Sequence, residues 1–259
     1  MTEAAAIERG YVDAGGVHTY YEVEGTGEPL VLMHGGLCAI ETYGALRPLL
    51  TPHFRVYLPE RRGHGRTADV PGPWHHERLA DDTIAFIEAL KLGPVYLAGW
   101  SGGGIVALYV ALRRPDLIRR LVVIEAIANH DGDPPQVKQM IQLDHMPDGF
   151  LPPALRAMYG AVSPDGADNF DAVVDKSWQM MRREPAIQLA DLARIEAPAL
   201  VVMSDDGMVT AAHGAAMAGA FANGRVVTVP DSNHALPIEK ADAVATLIRD
   251  FLPAGNGLL

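Results

Sequence analysis

The chain has few of the features that would link it to an oxidising compartment, a nucleic acid or a membrane. It contains one cysteine, Cys38, which excludes an internal disulfide and any metal site built on several cysteines. No Lys/Arg cluster is longer than Arg-Arg and the formal net charge is −11, so we expect no nucleic-acid partner and no anionic membrane surface as partner.

Targeting and membrane segments are also missing from the sequence. No window approaches the roughly 20 apolar residues of a membrane span, and the start, MTEAAAIERG, has no apolar core of signal-peptide length. We therefore expect a cytoplasmic protein. The sequence leaves the oligomeric state open, a homodimer included.

What the chain does contain is an alternation of short apolar runs and helix-period segments. With 259 residues and 49% hydrophobic content, it is long enough to bury a full core. Residues 9–24 predict a hairpin around two glycines. The predicted strands that follow are 30–33, 55–58, 95–99, 121–125, 199–203 and 225–229, and the predicted helices are 77–92, 102–114, 209–222 and 239–252. This order favours a mainly parallel sheet flanked by helices, an α/β fold.

One interval breaks the alternation, because about 70 residues separate Glu125 from Ala199. A structureless loop of that length is improbable. We predict a small helical cap at 129–192, inserted into a core domain formed by 1–128 and 193–259. Its Trp178 and Met158, together with Leu37, are candidate substrate-pocket residues. Packing within the insertion is the alternative for any one of these side chains.

A candidate nucleophile stands in VYLAGWSGGG, residues 95–104. Ser101 lies in a G-x-S-x-G pattern, directly after an apolar strand and directly before a helical pattern. A strained turn between strand and helix exposes such a serine, and the helix start offers free N–H groups to an oxyanion. A glycine-rich turn without chemistry is the alternative reading.

The stretch LVLMHGGLC, residues 30–38, supplies the other half of such a site. A strand that ends in His-Gly-Gly brings backbone N–H groups to the place where a tetrahedral oxyanion would form. We predict the N–H groups of Gly36 and Gly102 as the donors, with Leu37 as the alternate for Gly36. His34 is expected to order this loop rather than to transfer protons.

With these two motifs the chain resembles the α/β-hydrolase superfamily. PERRGHGRT, residues 59–67, is similar to the family loop written D-x-R-G-H-G-x-S, with Glu60 and Thr67 as departures, and VPDSNHALPIEK, residues 229–240, is similar to its histidine loop. The resemblance covers essentially the whole chain except 129–192. It implies an eight-stranded sheet, a cap after strand 6, and His234 as the base that activates Ser101.

The acid of the implied triad is not where the family pattern puts it. Aligning VVMSDDGMVT with the family's G-x-x-D-x-x-V sets Gly207 on the catalytic Asp. The neighbouring Asp206 would need a local bulge, because successive side chains of an extended loop point in opposite directions. Absence of any working acid is a further alternative.

A second carboxylate, Glu125, ends the preceding predicted strand. In the family's sheet order this strand lies between the nucleophile strand and the usual acid strand, so a glutamate there is placed to reach His234. One subgroup of haloalkane dehalogenases and the zearalenone-type lactone hydrolases use a glutamate at this point, and IEAIA resembles the former. We predict Glu125 as the acid, with Asp206 as the alternative.

The predicted activity is hydrolysis of a carboxylic ester or lactone of an apolar small molecule, through an acyl-enzyme and without metal or cofactor. Carbon–carbon bond hydrolysis or perhydrolysis by the same triad is an alternative. A ligand-binding pseudoenzyme that lacks a working acid is another.

Overall fold

The computed structural model of the chain describes residues 6–253. Its strands form a mainly parallel eight-stranded sheet in the order β1-β2-β4-β3-β5-β6-β7-β8. Among the strand pairings of this sheet within residues 6–253, only those of β2 with β1 and with β4 are antiparallel. The strands are β1 (Glu8–Ala14), β2 (Val17–Glu24), β3 (Pro29–Met33), β4 (Arg55–Pro59), β5 (Val95–Trp100), β6 (Ile118–Ile124), β7 (Ala199–Asp206) and β8 (Gly224–Asn233).

Helices connect the parallel strands and cover both faces of the sheet. They are α1 (Arg47–Leu50), α2 (His76–Ala89), α3 (Gly102–Arg113), α4 (Pro135–Met140), α5 (Pro153–Val162), α6 (Phe170–Met181), α7 (Ala211–Ala220), α8 (Leu236–Glu239) and α9 (Ala241–Phe251). Each predicted strand and helix overlaps one of these elements. The predicted α/β fold with an eight-stranded sheet is confirmed.

The central strands β3, β5, β6 and β7 are apolar on both faces, as a covered parallel sheet requires. Along β6, Leu121 and Val123 belong to one buried cluster, and Val122 and Ile124 belong to the cluster on the opposite face. Helices α2, α3 and α7 pack on the first face, and α1 and α9 pack on the second. This alternation explains why the sequence shows continuous apolar runs instead of a polar/apolar pattern.

The long interval between β6 and β7 contains the helices α4, α5 and α6. Val137, Ile141 and Trp178 form a small apolar cluster between α4 and α6. Tyr159, Phe170 and Val173 belong instead to the large buried cluster on the α2/α3 face of the sheet. The interval thus holds ordered helical structure rather than a long loop. No helix within residues 6–253 has the length and apolar character that crossing a membrane requires.

Because β3 and β5 to β8 run parallel, the loops after them meet at one edge of the sheet. Strand β3 lies between β4 and β5, so the chain order reverses at this point. The crevice at such a reversal, beyond the carboxyl ends of the strands, is the usual ligand site of an open α/β sheet. The segments that follow β3, β5, β6, β7 and β8 therefore define the region to search for function.

Candidate active site

Ser101 stands between β5 and α3 in a conformation that residues other than glycine rarely adopt. Its φ is 53° and its ψ is −124°, a strained backbone of the kind that clusters at functional sites. Steric contacts require glycine on both sides of Ser101, at positions 99 and 103. A Cβ at Gly99 would lie 2.3 Å from the carbonyl oxygen of Gly103, and one at Gly103 would lie 2.4 Å from that of Met33.

His234 follows β8 directly and faces Ser101. Its Nε2 lies 3.0 Å from the Ser101 Oγ, within hydrogen-bond distance. The indole N–H of Trp100 donates a 2.8 Å hydrogen bond to the backbone carbonyl of His234. On the other side, Asp205 accepts hydrogen bonds from the backbone N–H groups of Asp231 and Ser232, at 2.8 and 2.9 Å. The histidine loop is thus held by residues of two strands, β5 and β7.

Glu125 comes directly after β6, and a φ of 46° turns its side chain towards the same place. The fully buried carboxylate accepts hydrogen bonds from the backbone N–H of Ser204 at 2.6 Å and of Met208 at 3.3 Å. Its Oε2 lies 3.4 Å from the His234 Nδ1, long for a hydrogen bond. Catalytic hydrogen bonds are often this long without substrate and shorten when it binds.

The charge state of Glu125 follows from these contacts. Burial by itself would raise the pKa of Glu125. The hydrogen bonds from His234 and from the Ser204 N–H outweigh burial and lower the pKa below its ordinary value. The group is therefore a carboxylate at neutral pH, which can accept a proton-bearing Nδ1 and leave Nε2 free to act on Ser101.

Gly207 explains why the acid is absent from its usual strand. A Cβ at Gly207 would lie 2.1 Å from the Glu125 Oε2 and 2.2 Å from the Ser204 Oγ. The Glu125 carboxylate occupies the space that a side chain at 207 would need. The alternative acid, Asp206, is exposed at the end of β7, where the strand register is irregular between Ser204 and Asp206. Within the described residues, His234 pairs with Ser101 and Glu125, and no hydrogen bond or ion pair joins it to Asp206.

The predicted oxyanion donors Gly36 and Gly102 are neighbours across the crevice. The N atom of Gly36 lies 3.3 Å from the position that a Cβ on Gly102 would take. Gly102 is the first residue of α3, where N–H groups have no partner inside the helix. Leu37, the alternate donor, has a φ of 58°, and its side chain turns into the core, where it is 7% exposed.

Comparison with known proteins assigns the chain to a family. The family model described as "Alpha/beta hydrolase family" matches residues 30–247, which is most of the chain. The chain belongs to this family. Its similarity to individual relatives is moderate. It is 26% identical over 268 residues to a pyrrolizixenacetamide deacetylase of Xenorhabdus hominickii, an alignment that covers 93% of this chain and 97% of the relative.

Two further comparisons agree with the family. The chain is 27% identical over 253 residues to a pimeloyl-[acyl-carrier protein] methyl ester esterase of Neisseria meningitidis serogroup B, covering 86% of this chain and 92% of the relative. The crystal structure of a hydrolase from Pseudomonas aeruginosa is similar at a TM-score of 0.75 and 27% identity, covering 95% of this chain and 99% of that one. All three are hydrolases by name.

In this α/β hydrolase a cavity of about 70 Å³ adjoins Ser101, Glu125 and His234. The insertion between β6 and β7 supplies much of its wall, and α3 and the segment after β7 supply more. The apolar lining consists of Ile105, Ala126, Ile127, Val137, Ile141, Met181, Pro185, Met208 and Val209, and the remaining lining residues are His130, Asp133 and Glu184. Small-molecule sites usually measure about 300–1,000 Å³, so this one admits a compact group.

The pocket residues predicted from the sequence need correction, because none of Trp178, Met158 and Leu37 lines this cavity. Trp178 is completely buried behind Val137 and Ile141, and its indole N–H donates to the Leu143 carbonyl at 3.1 Å. Met158 packs against a different buried cluster. The alternative, packing within the fold, describes these side chains better.

Other features of the site were not predicted from the sequence. The bond from Trp100 to the His234 carbonyl and the support from Asp205 join residues far apart in the chain. The polar part of the cavity wall includes His130, whose Nδ1 lies 2.7 Å from Asp133 Oδ2. Within residues 6–253, no three His, Cys, Asp or Glu side chains gather closely enough to hold a metal ion.

Proposed function

We propose that this α/β hydrolase cleaves a carboxylic ester or lactone of a small apolar molecule through an acyl-enzyme. Ser101 attacks the carbonyl carbon while His234 Nε2 takes the hydroxyl proton. Glu125 holds the His234 Nδ1–H and stabilises the imidazolium. The N–H groups of Gly36 and Gly102 bind the oxyanion, and the protonated His234 gives its Nε2 proton to the departing alcohol oxygen as the acyl-enzyme forms. Neutral again, His234 takes a proton from water, which attacks the acyl carbon, and it returns that proton to Ser101 Oγ as the carboxylic acid leaves.

The observation that carries the proposal is the chain of contacts from Ser101 Oγ through His234 to a buried, ionised Glu125. An orienting acid beside the histidine favours an enzyme over a ligand-binding pseudoenzyme. A serine nucleophile with N–H groups around the carbonyl oxygen suits acyl transfer. Cleavage of an ester is the named reaction of the Neisseria relative, which supports an ester as substrate here.

The size and lining of the cavity narrow the substrate. A space of about 70 Å³ with mainly apolar walls favours a short acyl or alcohol group. It argues against a large lactone ring as the substrate. We therefore expect acetyl and butyryl esters to react faster than long-chain esters.

Labelling with a fluorophosphonate probe tests the proposal directly. The wild-type protein should be labelled at Ser101 and should hydrolyse nitrophenyl acetate, while Ser101→Ala should lose both properties and remain folded. An unlabelled wild-type protein with no esterase activity would leave the pseudoenzyme as the better account. Release of a carboxylic acid from a diketone, or peracid formation from acetate and hydrogen peroxide, at a higher rate than ester hydrolysis would replace the ester by one of those reactions.

A further inference from the structure

A buried arginine lies beneath the loop that carries Gly36. Arg61 is 5% exposed, and its Nη2 donates a 2.8 Å hydrogen bond to the carbonyl oxygen of Gly35. The arginine of the family loop D-x-R-G-H-G-x-S is the next residue, Arg62, which binds Asp82 through two hydrogen bonds of 2.6 and 2.7 Å. Arg61 occupies the variable position of that loop, so its role belongs to this chain rather than to the motif.

Among residues 6–253, Arg61 has no counter-ion for its charge. Burial lowers the pKa of Arg61 to about 10, which leaves the guanidinium charged at neutral pH. Within residues 6–253, no carboxylate forms an ion pair with it, and its Nε and Nη1 have no hydrogen-bond partner. A buried and uncompensated charge is costly. Unfavourable features of this kind occur mainly at functional sites, so the buried charge of Arg61 suggests a role in function.

The Gly35 carbonyl oxygen, which accepts a hydrogen bond from Arg61, also accepts one from a second donor. His34 Nε2 accepts the backbone N–H of Arg61 at 3.4 Å, so the His34 proton is on Nδ1, which donates to the same Gly35 oxygen at 2.8 Å. Burial, with Arg61 and His64 nearby, holds the pKa of His34 well below its ordinary value, and the ring is neutral. A guanidinium and an imidazole thus converge on one carbonyl group.

That carbonyl shares a peptide unit with the oxyanion donor. The C=O of Gly35 and the N–H of Gly36 belong to one planar group. Donors that draw electron density to the oxygen make the N–H of the same peptide a stronger donor, because hydrogen bonds in a chain polarise one another. We propose that Arg61 is a positioning residue of the oxyanion site, which orients and polarises the Gly35–Gly36 peptide.

On this account the oxyanion that forms during the reaction compensates the charge of Arg61. The inference rests on the proposed serine-hydrolase function. The negative charge forms about 8 Å from the guanidinium, two hydrogen bonds and one peptide unit away. Coulomb's law at an effective dielectric constant of about 20 gives a rate effect of roughly 30-fold at that distance. Loss of the charge should therefore cost about 10-fold to 30-fold in kcat.

Replacement of Arg61 tests this role. In Arg61→Met we expect kcat for nitrophenyl acetate to fall by about 10-fold to 30-fold with KM changed less than about 2-fold. Affinity for a trifluoromethyl ketone, which forms a tetrahedral adduct with serine, should fall by the same factor. Arg61→Lys, which keeps a charge, should recover part of both losses. Tm should stay equal or rise, because the variant removes an uncompensated buried charge.

Tyr43→Phe is the matched control. Tyr43 is fully buried near the same loop, and its hydroxyl donates to the Met33 carbonyl at 2.8 Å. This variant should lower Tm and leave kcat and ketone affinity unchanged. The inference is wrong if Arg61→Met keeps kcat, or if it loses kcat together with Tm while ketone affinity is unchanged. In either case, fluorophosphonate labelling of Ser101 in the wild-type protein would leave the proposed function standing. A wild-type protein that the probe does not label overturns both.

Discussion

Replacing Gly207 by alanine should inactivate the enzyme, although Gly207 carries no functional group. The added Cβ would lie 2.1 Å from the Glu125 Oε2, and real Cβ contacts are almost never shorter than 3.0 Å. The carboxylate must therefore retreat by roughly 1 Å. Its contact with His234 Nδ1 is already 3.4 Å, long for a hydrogen bond, so we expect a displaced carboxylate to orient the imidazole poorly. Loss of the triad acid can cost about 10⁴-fold in turnover, and we expect a fall in kcat of about 100-fold or more.

Steady-state hydrolysis of nitrophenyl acetate measures this effect. Gly219→Ala is the matched control, because Gly219 is exposed in α7 and a Cβ there meets nothing within 4 Å. The control should keep full activity and gain up to about 1 kcal/mol of stability from the better helix propensity of alanine. If Gly207→Ala keeps more than half of the wild-type kcat, the Glu125 carboxylate is not held where catalysis would need it.

A double variant extends the test by moving the acid to the neighbouring strand. Glu125→Ala alone should lose about 100-fold or more of kcat. Combining it with Gly207→Asp empties the space that Glu125 fills and puts a carboxylate at the position where the family pattern has its acid. We expect the double variant to recover at least about 10-fold over Glu125→Ala. No recovery, with the double variant folded, would refute the idea that the two positions share one site.

Two further predictions concern the support of the site. Trp100→Phe removes the hydrogen bond to the His234 carbonyl but keeps a ring, and such a bond is worth about 0.5–1.5 kcal/mol. Steady-state kinetics should show kcat lowered about 3-fold to 10-fold with KM nearly unchanged, and a larger change in KM would point to a pocket role instead. Burial lowers the pKa of His64 from 6.5 to about 3, so the unfolded state takes up its proton first as pH falls. The stability from His64 is present above pH 6.5 and is lost between pH 6.5 and 3, at about 1.4 kcal/mol per pH unit. Urea unfolding at several pH values gives the slope of the free energy of unfolding against pH, and between pH 3 and 6.5 this slope should be smaller by that amount in His64→Gln. An unchanged slope would show that burial does not disfavour protonation of His64.

The sequence predicts the parts of the site that local geometry dictates. Ser101 and Gly102 follow from a strand, a turn and a helix in immediate succession. His234 follows from the resemblance to the α/β-hydrolase family, which has its base after the last strand. Glu125 could be proposed because the usual acid position holds a glycine. The structure supplies the physical reason, since the Gly207 site is filled by the Glu125 carboxylate.

What the sequence could not predict depends on how distant segments pack. The rotation of α6 about its axis decides that Trp178 faces Val137 and Ile141 rather than the cavity, and no motif in 129–192 reports that rotation. The bond from Trp100 to the His234 carbonyl spans 134 positions of sequence and involves a main-chain acceptor, which has no residue signature. In the sequence, Arg61 is simply one of two adjacent arginines. That no counter-ion lies beside it within residues 6–253 can be learned only from the folded structure.

The identity of the acid is the central claim, and one comparison tests it most directly. Turnover of nitrophenyl acetate should be measured for Glu125→Gln and Asp206→Asn, with Tm recorded for both. Glu125→Gln should lose about 100-fold to 10⁴-fold of kcat because a neutral amide cannot stabilise the imidazolium. Asp206→Asn should stay within about 2-fold of wild type, because its side chain is exposed. Full activity in Glu125→Gln, together with loss in Asp206→Asn, would contradict the account.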